Sequence, residues 1–282
     1  MKRFLFADDG TLTDKTPEVE DYHSGSAVVD VTSSEDAIYI GSRLPFNSLF
    51  FDLNVVNTEA SVMTVSLWSG NSWEEVAETI DETALAGACL GASGYVTWVP
   101  KKTESWVMED TVGSTGNESV DGLGSVEIYD LYWLKLTFSA DLTALTEIGW
   151  LGPKFCTDAD LVGEYTLFGN STFRANYESG KTDWEKEIIL ASRLMISDIE
   201  NKGEIISGDQ LLQRRKLLDA CVSQTAMVIF KNLGDDYKDD ALRAGKEYYA
   251  RLNKNNYGAD KNNNARLDVG EAKGVSTGVF YK

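Results

Sequence analysis

The sequence predicts an α+β multidomain protein: an N-terminal antiparallel β-sandwich, jelly-roll-like, over residues 1–155, then a small α-helical bundle over residues 156–282. Three observations carry this expectation. Apolar residues alternate with period two up to about residue 155, the signature of half-buried strands. Beyond it the period becomes 3.6, as on helices that bury one stripe. Charge divides at the same place, with 18 basic and 20 acidic residues in 156–282 but 8 and 25 in 1–155. Nearly all of the net charge of −19 therefore lies in the first half, which suits two independent domains, the β domain being the more solvated.

In the first half, Leu49, Phe51, Leu53 and Val55 share one strand face, and Met63, Val65 and Leu67 share another. Tyr132, Leu134, Leu136 and Phe138 repeat the pattern, with Lys135, Thr137 and Ser139 opposite. Shorter candidates are Phe4–Ala7, Ala27–Val31, Ala37–Gly41, Tyr95–Val99, Trp106–Met108 and Glu147–Leu151. Ser69-Gly70-Asn71, Gly91-Ala92-Ser93-Gly94 and Gly113–Gly124 supply the turn chemistry between them. About eight to ten short strands without a helical period read as two packed antiparallel sheets.

In the second half, Thr182-Asp183-Trp184-Glu185 has the spacing of a capping box. Trp184, Ile188, Leu190 or Ala191, Met195 and Ile199 then carry a helix to Asn201-Lys202-Gly203. A second box, Ser207-Gly208-Asp209-Gln210, has Ile206 and Leu211 placed as a hydrophobic staple. Its helix holds Leu211, Leu217, Leu218, Cys221, Ala226 or Met227, Ile229 and Phe230, and ends at Leu233-Gly234. A third helix runs from about Asp235 to Asn253 with Tyr237, Ala241, Ala244, Tyr248 and Leu252 on one stripe. Three helices with short connections bury their stripes against one another.

Composition excludes several classes. A chain of 282 residues, 43% hydrophobic and 25% charged, has an ordinary globular core. Its acidity excludes bulk electrostatic wrapping of nucleic acid or anionic lipid. No apolar run approaches the ~20 residues of a membrane span, and the run Phe4-Leu5-Phe6-Ala7 is too short for a signal peptide. Cys89, Cys156 and Cys221 lie far apart without a CxxC, so neither zinc nor a disulfide is expected and the thiols read as buried and reduced. The single histidine, His23, sits in a polar acidic stretch and reads as an exposed loop residue.

Candidate sites are few. Asp260-Lys261-Asn262-Asn263-Asn264-Ala265-Arg266-Leu267-Asp268-Val269-Gly270-Glu271 has the spacing of a twelve-residue calcium loop. Asp260, Asn262, Asn264, Asp268 and Glu271 supply the oxygens that alternate side chains of a tight loop converge on a hard cation. Ala265 stands where that turn wants glycine, and the competing reading is an Asn-rich polar turn. No cofactor is required, and a calcium here would be structural.

Six of the seven tryptophans, Trp68, Trp73, Trp98, Trp106, Trp133 and Trp150, lie in the first half. Trp68 and Trp133 point away from their strands' main apolar faces, which leaves room for sugar stacking, although most such tryptophans are core. Glu74-Glu75, Glu109-Asp110 and Asp235-Asp236 read as solvated surface, since adjacency in sequence sets no separation across a cleft. Arg214-Arg215-Lys216 is the basic cluster, placed on a helix for an acidic protein face. Gly113–Gly124 precedes a strand and so does not cradle phosphate.

In chain order, residues 180–282 resemble the head-to-tail connector (adaptor, or neck) proteins of tailed bacteriophages. The resemblance rests on the tryptophan-led helix Trp184–Ile199, the opening Ile206-Ser207-Gly208-Asp209-Gln210-Leu211-Leu212, the ending Tyr248-Tyr249-Ala250-Arg251-Leu252, and the Asn-rich loop and tail that follow. Tyr132–Ser139, with Tyr95-Val96-Thr97-Trp98 upstream, is similar to strands of β-sandwich modules appended to phage virion proteins. The resemblance implies a structural virion protein without catalysis, made in the host cytoplasm and placed at the head–tail junction. Copies would form a ring, commonly of twelve, that binds portal and tail or neck proteins. Genomic DNA would pass through the channel without sequence-specific contact, and no membrane is involved. The β half would face outward as decoration or a partner-binding domain. Arg214, Arg215 and Lys216, and the tail residues Val279, Phe280 and Tyr281, are the partner-binding candidates. The other class is a tail, baseplate or carbohydrate-binding module.

Overall fold

The computed structural model describes all residues except 1, 21, 23, 24, 33, 34, 101–105, 144, 255, 256, 267, 269, 270 and 272–282. His23, Val279, Phe280 and Tyr281 thus lie outside the described residues. The class is α+β, with two antiparallel sheets and six α-helices among the described residues. None of those helices is long and apolar enough to cross a membrane. The chain divides into two units, Met1–Gly152 with Asn263–Arg266, and Pro153–Asn262 with the described residues after Arg266.

The first unit runs β1 (Arg3–Asp8), β2 (Thr11–Asp14), α1 (Thr16–Glu20), β3 (Ala27–Val28), β4 (Ala37–Ser42), β5 (Ser48–Val55) and β6 (Met63–Trp68). It continues with β7 (Trp73–Glu75), β8 (Glu78–Asp81), β9 (Gly94–Val99), β10 (Met108–Glu109), β11 (Leu131–Phe138) and β12 (Glu147–Gly152). One sheet has the order β2-β1-β4-β11-β6-β7, with β10 also on β11, and the other β3-β12-β5-β9-β8. The β1–β2 hairpin turns on Asp9 and Gly10, at φ 44° and 76°. Both are left-handed, as a type I′ turn requires, and Asp-Gly is its preferred pair.

A single apolar cluster takes alternate residues from both sheets. Phe4, Ile38, Val65 and Leu134 come from the first, and Leu49, Phe51, Val96 and Ile148 from the second. This is the period-two pattern realised. A second cluster, unforeseen in the sequence, lies on the opposite face of the seven-stranded sheet: Leu5, Ala37, Tyr39, Trp68, Leu131 and Trp133 pack under Val120 and Leu123. The Gly-rich segment is therefore a cover, not only a turn. With both faces covered, β4 is buried along its whole length, so no alternation marks it.

This overturns the surface role for two tryptophans. Trp133 is fully buried and Trp68 nearly so. The Trp68 indole N–H donates to Glu109 Oε2 at 3.0 Å, and that of Trp133 to the Glu109 carbonyl at 3.2 Å. An indole satisfied inside a core presents no platform to a sugar.

The second unit contains α2 (Asp158–Glu164), α3 (Ser171–Tyr177), α4 (Glu185–Asn201), α5 (Leu218–Asn232) and α6 (Lys238–Lys254). Its core gathers Leu161, Phe168, Trp184, Met195, Ile229 and Tyr248 among others. Helices α2 and α3 extend the three expected. Helix α2 opens on a full capping box, since Thr157 Oγ1 accepts the Asp160 N–H while Asp160 accepts the Thr157 N–H.

Two caps differ from expectation. Thr182 does not cap α4: Asp183 accepts the Glu185 N–H at 3.1 Å, and Asp158 takes the Trp184 N–H at 3.0 Å. The Ser207–Gln210 box forms, but it opens only the 3-10 turn Gly208–Gln210. Ile206 is 81% exposed while Leu211 is fully buried, so the staple does not form. Helix α5 begins later, after a second 3-10 turn, Arg214–Leu217.

Candidate functional site

In the second unit an open apolar groove lies between α5 and α6. Gly234, at φ 88°, turns the chain between the two helices, a conformation glycine adopts without penalty. Lys238, Ala241, Leu242, Gly245, Lys246 and Tyr249 line the α6 side. Their spacing is i, i+3, i+4, i+7, i+8 and i+11, a single stripe along the helix. It lies beside the core stripe Ala241, Ala244, Tyr248 and Leu252.

Gly245 brings the walls together. A methyl group there would meet Met227 Sδ, on α5, at 3.0 Å. The space is about 510 Å³. Leu242 is 55% and Tyr249 50% exposed, a real cost for large apolar side chains left in water. Lys231, Lys238 and Lys246 stand on the rim against one carboxylate, Asp235. The arrangement can bind an apolar side chain carried on an acidic surface. Leu190 and Leu194, one turn apart on the outward side of α4, are also exposed.

Sequence reasoning missed this groove, although Leu242 and Tyr249 mark it. They lie seven residues apart on the side of α6 that the core stripe does not use.

The basic cluster is only partly on the surface. Arg214, Arg215 and Lys216 lie in a 3-10 turn, not in a helix. At three residues per turn, positions i and i+3 eclipse. Arg214 is accordingly buried on the same side as Leu217, with its Nε donating to the Leu211 carbonyl at 3.4 Å, while Arg215 and Lys216 face out. The expected three-residue patch is thus two residues.

In the Asn-rich loop, Ala265 does take the left-handed conformation of the turn, at φ 57°, and Asn263 does so at 58°. Glu271 accepts the N–H groups of Lys261 (2.9 Å) and Asn262 (3.2 Å) on one oxygen, and that of Asp268 (2.8 Å) on the other. Asn262 Nδ2 donates to Asp268 at 2.7 Å, and Asn264 Oδ1 accepts the Arg266 N–H at 2.8 Å. Asp260 is fully buried. The Gln210 side chain donates to the Asp260 carbonyl at 2.6 Å, and the Gln210 carbonyl accepts the Asp260 N–H at 2.8 Å. The loop is thus braced through its own carboxylates and amides.

Among the described residues, the three carboxylates whose oxygens gather within 4.8 Å are elsewhere, at Asp8, Asp9 and Asp36. Asp36 is buried there and accepts the N–H groups of Asp9 and Thr32, which accounts for its position by turn geometry.

The cysteines meet where sequence separation gave no sign. Cys156 Sγ lies 3.1 Å from Cys221 Sγ, and Ser192 Oγ is 3.4 Å from Cys221 Sγ. Both cysteines are buried and are free thiols. Cys89, in the first unit, is also buried, and burial pushes its thiol up to about 11.

No protein-family model, curated protein or solved structure matches the chain.

Proposed function

We propose that this chain is a structural, non-catalytic virion protein, a head-to-tail adaptor that assembles as a ring between portal and tail. In this reading the two sheets form a β-sandwich decorating the assembly, and the five helices of the second unit form the adaptor bundle. The observation that carries it is the open α5–α6 groove, with Leu242 and Tyr249 exposed above Met227. A solitary domain gains nothing from large apolar residues around such a groove, whereas one that assembles buries them. Leu190 and Leu194 give α4 a second apolar area. Two different patches per copy suit a heterologous, ring-closing contact better than a twofold one. The lysine rim directs the groove toward an acidic face, such as the β half of this chain presents.

The carbohydrate-binding alternative draws no support from the tryptophans. Trp68, Trp98, Trp133 and Trp150 are buried, and Trp73 and Trp106 are partly so.

Native mass spectrometry and negative-stain imaging of the full chain, alone and mixed with a phage portal protein, test the proposal. Closed rings are the expected result. Leu242→Glu and Tyr249→Ala should abolish them without loss of helical content. A chain that stays monomeric at every concentration and ignores portal refutes the adaptor reading.

A further inference from the structure

We propose that Cys156 and Cys221 form a dithiol oxidation site, which hydrogen peroxide or a comparable small hydroperoxide converts to an intramolecular disulfide. Cys156 immediately precedes the N-cap of α2, and Cys221 lies in the first turn of α5. They are 65 residues apart in sequence, with their sulfurs 3.1 Å apart. A disulfide needs about 2.05 Å between sulfurs, so the two sulfurs have roughly 1 Å to close. No sequence spacing encodes this; it arises because the chain enters the helical unit directly over α5.

The surroundings prepare the pair for reaction. Phe155 N–H donates to Ser192 Oγ at 3.3 Å, and Ser192 Oγ is 3.4 Å from Cys221 Sγ. Thr225 Oγ1 lies 3.9 Å from Cys156 Sγ. Burial pushes the Cys221 thiol up, but hydrogen bonds from Cys156, Ser192 and Thr225 more than offset this, so its net shift is downward. The Cys156 thiol, which donates to Cys221, is held up by that bond and by burial. One sulfur is thereby biased toward thiolate and its neighbour keeps the proton, the asymmetry that stepwise thiol oxidation uses.

The step balances. Hydrogen peroxide, little larger than water, reaches the pair during local openings. The Cys221 thiolate attacks one peroxide oxygen and the O–O bond breaks, leaving Cys221 as sulfenic acid and releasing hydroxide. That hydroxide takes up the proton lost from the Cys221 thiol and leaves as water. The Cys156 sulfur then attacks Cys221 Sγ and displaces the hydroxyl group, which leaves as a second water with the Cys156 proton. Two thiols and one peroxide give one disulfide and two waters. The product ties the entrance of the helical unit to α5 and spans α2, α3 and α4.

Peroxide treatment of the full chain followed by intact-mass and non-reducing peptide mapping tests this. The expected product is lighter by two hydrogens, with residues 156 and 221 in one cross-linked peptide that dithiothreitol separates. Closing a loop of this length should raise the melting temperature of the oxidised chain by at least about 5 °C over the reduced one. Cys156→Ser and Cys221→Ser should each lose both the mass change and the thermal shift; if either fails to fold, the wild-type peptide map alone decides. Peroxide that leaves the pair untouched, converts single cysteines to sulfinic acid without a cross-link, or joins Cys89 to either sulfur overturns the proposal.

Discussion

Gly41 on β4 sits directly opposite Trp133 on β11, and the indole occupies the space where a side chain at Gly41 would be. A methyl group there would approach two ring atoms of Trp133 to 2.9 Å and Leu131 Cδ1 to 2.7 Å. Both strands are covered on this face, so neither ring nor strand can move aside without disturbing the core under Val120 and Leu123. Gly41→Ala should therefore destabilise the first unit by about 1–3 kcal/mol through overpacking, read as a lower urea midpoint at unchanged slope. A neutral result would mean that the outer cover is loosely packed.

Asp158 joins three segments of the helical unit. Its carboxylate receives Arg174 Nη2 on both oxygens, at 3.0 and 2.8 Å, and also takes the Trp184 N–H. The aspartate side chain is 28% exposed, so solvent softens the loss on its removal. Asp158→Ala should cost about 2 kcal/mol, and Asp158→Asn less, because the amide oxygen still accepts the Trp184 N–H. Thermal unfolding of both variants checks the order.

Glu271 braces the Asn-rich loop by accepting three backbone N–H groups. Glu271→Ala should cost about 1–3 kcal/mol, and by the same amount in chelator and in millimolar calcium. A melting temperature that rises with calcium in the wild type, and not in Asp260→Ala or Glu271→Ala, would instead establish the structural calcium site.

Alkaline pH should weaken the fold. Burial, with Asp121 and Glu118 nearby, pushes Tyr39 up to about 12, and burial does the same to Tyr177. Tyr165 and Tyr248 are also raised, by burial and by donation to Glu247 and Asp198. An unfolded tyrosine ionises near 10. Above pH 10 the unfolded chain therefore sheds protons that the folded chain keeps, and stability falls as pH rises until the folded tyrosines ionise in turn. This contribution is fully present below pH 10. Melting temperatures should decline steadily from about pH 10 to 12, and Tyr248→Phe should flatten the decline while costing about 1–2 kcal/mol at neutral pH. A level profile would contradict the assignment.

Much of the secondary structure was legible in the sequence, because local burial patterns announce it. β11 and α6 each repeat a buried stripe at their own period, and Gly203 and Gly234 mark helix ends by taking φ values that other residues avoid. β1 and β4 were read from the short apolar runs Phe4–Ala7 and Ala37–Gly41, without the alternation that a sheet covered on both faces erases. The edge strands β2, β7 and β8, exposed along most of their length, carried no apolar pattern and were not read. The helix starts depended on distant segments too: the Thr182 cap does not form, and the Ser207 box forms but opens no α-helix. Thr182 and Ser207 stand at permitted positions, but Asp158, distant in sequence, took over one helix start, and a second 3-10 turn delayed the other.

What the sequence determined by itself is therefore the kind of element at most positions, the division of charge and the α+β class, all products of neighbouring residues. The meeting of Cys156 with Cys221, the fit of Gly41 to Trp133, the burial of Trp68 and Arg214, and the opening between α5 and α6 were decided only by tertiary structure. Each depends on two segments that are far apart along the chain and share one space, and a local period holds no information about which distant segment fills that space.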